Sequence, residues 1–318
     1  LSVCKKENVM TTLLFGYFDL NFGDDWLIHE FINQYHKDNV ILVVSDENLY
    51  LPFKHDIRFR KVSDLGKIKA FLQSDEICIV GGSMFQDSKH WFGHYLKLYI
   101  YLLIARILGK KNYVIGCNLN AIKNKKLNML LKLLYKQVDH FRVRDSNSVK
   151  ILNKDYNINE ALISVKPDLA DKSKLSLTVT KENSCAVSII NNKNTGKKKY
   201  YDWLTSNFKE LRRKGIYHFK LFGFDSGAES DEKSINDFLV LKRHLFADCT
   251  FTIIIYNGNV DEFIMKWSTS KYALCTRFHS YILARNCKQN FRVFCYSNKI
   301  VEYIKTHSPF EMEYVDVA

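Results

Sequence analysis

Short apolar runs and longer amphipathic ones alternate almost from end to end of this chain, and few folds accommodate that rhythm. The short runs are "TTLLFGY" (11–17), "VILVVS" (40–45), "EICIVG" (76–81), "NYVIG" (112–116), "HFRVR" (140–144) and "ALISV" (161–165). Helical spacing of apolar residues falls between them, near 25–36, 63–73, 91–109, 124–138 and 145–154. Such alternation predicts parallel sheets covered by helices on both faces. A less apolar passage, "KPDLADKSKLSLTVTKENS" (166–184), interrupts it. The rhythm then restarts, with strands expected at 185–190, 217–224, 251–256, 272–275 and 291–296. Helical patterns accompany them near 199–213, 229–244, 260–267, 278–286 and 298–306. The expectation is an α/β protein of two Rossmann-like domains, residues 1–170 and 171–318, with an interdomain cleft. In such sheets ligands bind beyond the carboxyl ends of the strands. The order of the strands is not legible in the alternation.

A length of 318 residues leaves room for two cores, and 47% apolar with 25% charged residues is a soluble balance. The most apolar segment, "YLKLYIYLLIARILG" from Tyr95, is broken by Lys97 and Arg106 and reads as a buried helix rather than a membrane span. Lysines precede the first apolar run, as in a signal peptide, but that run is short and meets glycine and aspartate directly. A cytoplasmic location is therefore expected. The eight cysteines stand singly, with no CxxC pair, and five lie in or beside strand-like runs, which predicts reduced, buried thiols. A net charge of +13 favours anionic partners: phosphorylated substrates, acidic glycans or lipid headgroups. The basic residues are scattered, and no basic run with interleaved aromatics speaks for nucleic acid.

Five stretches carry chemistry. In "GYFDLNFGDDWLIHEF", Gly16 and Gly23 permit a tight loop that suits a phosphate or sugar, while Asp24 or Asp25 suits a cap on the next helix. In "IVGGSMFQD", Gly81 and Gly82 allow close backbone approach and Ser83 offers a hydroxyl at a strand end. "HWFGH" sets His90 and His94 four apart, a spacing that can hold a metal on a helix, but no third ligand accompanies them. "FRVRDSNSVKIL" puts Arg142 and Arg144 on one side of a strand end, before a helix that Asp145 or Ser146 can cap. The most informative stretch is "CTRFHS", where a strand hands over to a helix. The free N–H groups and dipole of a helix start favour an anion there. Arg277 adds a bidentate fork for a carboxylate or phosphate, and His279 a group that exchanges protons near neutral pH. The plainer alternative makes Ser280 a cap and His279 a satisfied polar residue.

Taken in order, these stretches resemble the polysaccharide pyruvyl transferase family. "GYFDLNFGDDW" is similar to the family's glycine-rich opening, and "GGSMFQD" to its "GGGxxQD"-like turn. "RDSNS" (144–148), Pro167-Asp168, "RFHS" (277–280) and Lys299 follow in the family's order. The resemblance implies a GT-B-like fold and an enzyme that moves pyruvate from phosphoenolpyruvate onto two hydroxyls of a cell-surface sugar as a ketal, releasing phosphate. It implies that Arg277 and His279 bind the donor, with Ser280 beside them and His279 also the acid/base. Lys299 would then hold the phosphate, and Arg144 would add a contact. The residue-level chemistry agrees: a guanidinium suits a planar carboxylate and an ammonium suits a phosphate. The scheme calls for no cofactor and no metal. Phosphoenolpyruvate and a glycan or lipid-linked saccharide are its substrates, the latter met at the inner face of the membrane.

The family's third glycine is a serine here, and "DLNFGDD" alters the first loop, so the acceptor side departs most, at Asp24, Asp25, Gly81, Gly82 and Ser83. Two other readings stand beside this one. A nucleotide-sugar glycosyltransferase on the same fold needs a carboxylate for the ribose; no convincing candidate stands out, although Asp261 and Glu262 sit at a plausible place. A non-catalytic glycan-binding protein would use some of the 18 tyrosines and 22 phenylalanines to stack on sugars.

Overall fold

The computed structural model describes residues 10–44, 46–62, 66–87, 91–172, 179–190, 197–227, 230–296 and 298–317. The chain divides into two compact units, Leu1–Phe18 with Leu27–Lys166 and Asp19–Trp26 with Pro167–Ala318. Each is built on a parallel sheet flanked by helices, so the α/β class holds.

The first sheet has seven strands: β1 (Thr11–Phe15), β2 (Asn39–Val43), β3 (Phe59–Val62), β4 (Glu76–Val80), β5 (Lys111–Cys117), β6 (His140–Val143) and β7 (Ile163–Val165). Their order is β3-β2-β1-β4-β5-β6-β7. The order reverses between β1 and β4, which pair in register from Thr12 with Glu76 to Phe15 with Ile79. Every residue of β4 is buried, the signature of a strand covered on both faces. β3, "FRKV", escaped the sequence reading because it is an edge strand whose Arg60 faces solvent. In β5 a bulge falls between Ile115 and Cys117, at Gly116 with φ 79°. Helix α1 (Phe22–Gln34) follows β1, and α2 (Lys67–Gln73), α3 (Trp91–Ile107), α4 (Lys125–Tyr135) and α5 (Ser146–Lys154) follow in turn. The apolar segment from Tyr95 is α3. It buries Tyr95, Leu98, Leu102 and Ala105 and keeps Lys97 and Arg106 exposed. Among the described residues no helix is long and apolar enough to cross a membrane.

The second sheet comprises β8 (Glu182–Ser188), β9 (His218–Gly223), β10 (Thr250–Ile255), β11 (Ser270–Cys275), β12 (Asn290–Cys295) and β13 (Val315–Val317). Its order, β10-β9-β8-β11-β12-β13, reverses between β8 and β11. Helices α6 (Lys197–Arg213), α7 (Glu232–Lys242), α8 (Val260–Ser268), α9 (Phe278–Asn286) and α10 (Asn298–His307) alternate with the strands. Cys185, Cys249, Cys275 and Cys295 are buried thiols outside any disulfide in this unit, as Cys78 and Cys117 are in the first. Burial pushes the Cys295 thiol up to about 12.

Residues 19–26 belong to the second unit, although a boundary near residue 170 assigns them to the first. The Phe22 ring is the reason. It is fully buried, with centroids 4.7 Å from Phe263, 5.4 Å from Phe224 and 5.5 Å from Tyr256. Burying a phenylalanine contributes about 1.5–3 kcal/mol, enough to hold a short segment in place. The backbone follows the ring. The Phe22 amide donates to the Phe224 carbonyl at 2.9 Å, and Asn21 forms an antiparallel bridge with Asp225.

Candidate active site

β8 and β11 lie side by side, so "CTRFHS" emerges at the point where the second sheet reverses its order. In open α/β sheets that is where ligands bind. The junction is pinned from below. The Ser188 carbonyl accepts the Thr276 hydroxyl at 2.7 Å and the Tyr200 hydroxyl at 3.1 Å. Arg277 then takes an extended conformation (φ −81°, ψ 147°) as the residue before α9, whose first turn has no side-chain cap. Ser280 is buried, and its hydroxyl donates back to the Arg277 carbonyl at 2.6 Å.

The Arg277 fork is already engaged. Nε donates to Asp231 Oδ2 at 2.8 Å and Nη2 to Asp231 Oδ1 at 2.6 Å, with Asp225 Oδ2 3.9 Å from Nη2. Asp231 is fully buried and also accepts the amides of Phe224 (3.0 Å) and Asp225 (3.2 Å). Burial alone lowers the guanidinium pKa, but the charge and hydrogen bonds of Asp231 outweigh it and raise the pKa above its ordinary value. The bidentate edge expected to receive a ligand carboxylate thus meets a protein carboxylate, and Nη1 lies outside that pair. Asp231 gave no distinctive signal in the sequence. It precedes α7 and looks like a routine helix cap, yet its side chain caps nothing there.

His279 opens α9 with its ring wedged between two elements. A Cβ built on Gly23 would stand 1.9 Å from Nδ1, so the ring occupies the notch that the missing side chain leaves. On the other side Nε2 lies 3.8 Å from Oδ1 of Asp168, which is fully buried. The rings of Phe278 (5.2 Å) and Trp26 (6.4 Å) complete the surround. Lys299 is in the first turn of α10 and half-buried.

The cap expected from Asp25 is not made: at the start of α1 the Asn21 Oδ1 accepts the Gly23 amide at 3.0 Å. Asp25 lies in the same helix. It follows Phe22 into the core, is 1% exposed, and accepts the Tyr256 hydroxyl at 2.9 Å. Burial drives its carboxyl pKa well above the ordinary range. Among the described residues its Oδ1 has no hydrogen-bond partner. Asp24 stays partly exposed in the same turn.

In the first unit, Gly81, Gly82, Ser83 and Arg144 gather where that sheet reverses. Asn118, which the sequence did not single out, joins them. Its Oδ1 accepts Arg144 Nη2 at 2.6 Å and the Ser83 hydroxyl at 2.9 Å, and its amide donates to the Gly82 carbonyl at 2.9 Å. Gly82 passes close to the guanidinium; a Cβ there would lie 3.4 Å from Arg144 Nη1. Arg144 belongs to this unit, whereas Arg277, His279, Ser280 and Lys299 belong to the other. Arg142 donates to Gln34 Oε1 at 3.3 Å and the Tyr35 hydroxyl at 3.1 Å. Asp145 caps α5, accepting the Ser148 amide at 2.7 Å.

His90 lies outside the described residues, and among those described no cluster of three His, Cys, Asp or Glu can hold a metal. Asp261 and Glu262 fall in the first turn of α8, where Glu262 pairs with Lys266 at 2.6 Å. A hollow lined by Asn207, Glu210, Lys214, Tyr272 and Arg292 opens elsewhere in the second unit, and no motif residue lines it.

Comparison with known proteins agrees with this geometry at the level of fold and family. A UDP-GlcNAc 2-epimerase from Methanocaldococcus jannaschii superposes with a TM-score of 0.59 at 11% identity, over 97% of this chain and 88% of that one. A glycosyltransferase from Rickettsia africae gives 0.57 at 13%, over 95% and 82%. Anabaena HepE, in complex with UDP and glucose, gives 0.55 at 11%, over 91% and 81%. These GT-B glycosyltransferases and epimerases share the fold; at such identity they say nothing more. No curated protein matches the chain significantly by sequence. The sequence model of one family, described as polysaccharide pyruvyl transferase, matches residues 21–298, a span that holds Gly23, the "GGS" turn, Arg144, Asp168, Arg277 and His279. The chain therefore belongs to the polysaccharide pyruvyl transferase family.

Proposed function

We propose that this chain moves pyruvate from phosphoenolpyruvate onto two hydroxyls of a glycan sugar as a cyclic ketal and releases phosphate. Family membership supports a transferase that modifies polysaccharide. The observation that carries the finer reading is His279 fixed at an uncapped helix start where the second sheet reverses, next to Arg277. Lys299 opens the next helix of the same unit. A small dianionic ligand fits this chemistry. The N-terminal dipole of α9 and a guanidinium attract the carboxylate, and an ammonium suits the phosphate as a point charge.

The reaction balances as follows. One sugar hydroxyl adds to the enol carbon, its proton leaves, and the neighbouring methylene gains a proton and becomes a methyl group. The bond from that carbon to the phosphate oxygen then breaks, a second hydroxyl attacks, and its proton ends on phosphate. His279 is assigned one of these proton transfers, a role typically worth about 100- to 10,000-fold in rate. We assign the donor to the second unit and the acceptor, a lipid-linked saccharide at the inner face of the membrane, to the loops of the first. The net charge of +13 favours such an anionic surface.

Thermal melting of the purified protein with phosphoenolpyruvate, uridine diphosphate or guanosine diphosphate tests this reading. A ligand present at about 100 times its dissociation constant stabilises the folded state by roughly 2.7 kcal/mol, a measurable rise in Tm. Stabilisation by phosphoenolpyruvate alone, followed by phosphate release that requires a glycan, is expected. Stabilisation by a nucleotide alone would transfer the protein to the nucleotide-sugar glycosyltransferases.

A further inference from the structure

We propose that the outward face of α2, α3 and α4 in the first unit is a docking surface for an anionic lipid bilayer. Aliphatic side chains of α3 enter the headgroup layer, and the lysines beside them meet the lipid phosphates. This gives a place to the membrane contact proposed above, and its use rests on the reading of a lipid-linked acceptor.

The most apolar helix of the chain is buried on one side only. Tyr95, Leu98, Leu102 and Ala105 of α3 face the core. Its opposite stripe is aliphatic too, with Ile100, Ile104 and Ile107 45%, 41% and 74% exposed. Spacings of four and three residues set them in one line along the helix. A helix that is apolar all round belongs in a core or in lipid, whereas a surface helix turns polar residues outward. The connections from β3 to β4, β5 and β6 advance across the sheet in one direction, so right-handed crossovers place α2, α3 and α4 on the same face. The rings of Phe71 on α2 and Tyr101 on α3 are 5.6 Å apart, and Arg106 near the end of α3 donates to the Lys136 carbonyl at the end of α4. Both neighbours add exposed apolar side chains, Ile68 and Leu72 on α2, Met129 and Leu133 on α4. Apolar surface gathered in this way marks an interaction site.

Charge decides what covers it. Residues 91–138 hold nine lysines and arginines and no aspartate or glutamate, so they supply +9 of the chain's net +13. The α2 stretch, "KIKAFLQ", has no acid either. Asp75 and Asp139, at the strand starts beside these helices, are turned to the backbone and accept the amides of Thr11 at 2.7 Å and Asn112 at 2.8 Å. Among the described residues, the ion pair that 91–138 makes is Lys111 with Asp139, at 3.3 Å. Lys125, Lys132 and Lys136 are exposed on the outward face of α4, beside Met129 and Leu133. A second copy would set the same cations against themselves, since a two-fold interface pairs a patch with itself. An anionic bilayer offers apolar depth under a layer of phosphates, the pattern this face complements. Lysine stems lie along apolar surface while their ammonium groups reach the headgroups. With 17 residues that include Lys97 and Arg106, α3 lies on the membrane and does not span it.

Co-sedimentation of the protein with vesicles, without donor or acceptor, tests the proposal independently of pyruvyl chemistry. Mixed phosphatidylglycerol and phosphatidylcholine vesicles should carry the protein down, less so at high salt, and phosphatidylcholine alone should not. Ile104→Ser with Ile107→Ser keeps every charge and should weaken binding by about tenfold or more. Lys125→Gln with Lys132→Gln should do the same. Lys209→Gln with Lys271→Gln removes equal charge from the second unit and should change binding by no more than about twofold. All six positions are exposed, and melting temperatures check that each variant is folded. Wild type that stays in solution with anionic vesicles overturns the proposal, as does binding unmoved by the isoleucine changes. Equal losses from the two lysine double variants overturn it in favour of general adsorption of a basic protein. A dimer in sedimentation velocity that Ile104→Ser with Ile107→Ser dissociates would give the face to a second copy. Should the vesicles bind while phosphoenolpyruvate yields no phosphate, the docking surface stands and the pyruvyl reading falls. The converse result removes the docking surface alone.

Discussion

Gly23 and His279 occupy each other's space: a Cβ on residue 23 would stand 1.9 Å from Nδ1 and 2.7 Å from the two ring carbons beside it. The glycine is needed for this close approach, in the first turn of α1, where a turn-forming role would be the usual reading. Any side chain at that position has to displace the imidazole or open the helix.

Gly23→Ala is accordingly expected to reduce turnover by about tenfold or more, because the ring loses its fixed orientation. The overpacked site should also cost about 1–3 kcal/mol of stability. Steady-state kinetics together with chemical denaturation check both effects. A variant with wild-type kcat and midpoint would show that the ring and the glycine do not meet.

The Arg277–Asp231 pair makes arginine removal a stability experiment as well as a binding one. Arg277→Ala leaves a fully buried carboxylate without its cation and should cost on the order of 3–5 kcal/mol. The double variant Arg277→Ala with Asp231→Asn should recover part of that loss. A double-mutant cycle measured by urea unfolding reads the coupling, and simple additivity would deny it.

Asp25 gives a pH dependence with a definite sign. Its folded pKa is raised by burial, so the folded state holds the proton more tightly than the unfolded state. That contribution is complete below the unfolded value of about 3.9 and is lost as pH rises through the folded value. Asp25→Asn should remove this loss, leaving a protein at least as stable as wild type near neutrality and a flatter curve above about pH 4. Unfolding free energies across the pH range decide it; an unchanged slope would count against the assignment.

Lys299 is half-buried at the start of α10, so its loss should leave the fold intact. If it holds the donor phosphate, Lys299→Gln should raise KM for phosphoenolpyruvate by about tenfold, equivalent to about 1.4 kcal/mol. Donor titrations of wild type and variant provide the measurement. An unchanged KM would remove Lys299 from the donor site.

Much of the architecture was legible in the residues. Each helix of both units overlaps a stretch whose apolar spacing announced it, and eleven of the strands coincide with apolar runs. The two strands that were missed, β3 and β13, lie at sheet edges. Edge strands are short, and one side of their ladder faces solvent, so the apolar pattern is weak there. The motif residues were legible too, because glycine, arginine and histidine at strand ends are unusual wherever they occur.

Their partners were not. Asp231 reads as a helix cap, Asp168 as half of a "PD" pair, Asn118 as a loop residue and Gly23 as a turn former, yet each touches or faces a residue the sequence had marked. Burial periodicity is a local property, set by which face of a helix or strand meets the core within a few residues, so the chain alone determined its elements and its α/β class. Strand order, the placement of residues 19–26 in the second unit and the contacts of His279 and Arg277 join groups far apart in sequence. Only closure of the sheets around Phe22, Asp168 and Asp231 decided them, because a buried ring or charge is stable only where the packed chain supplies its neighbours.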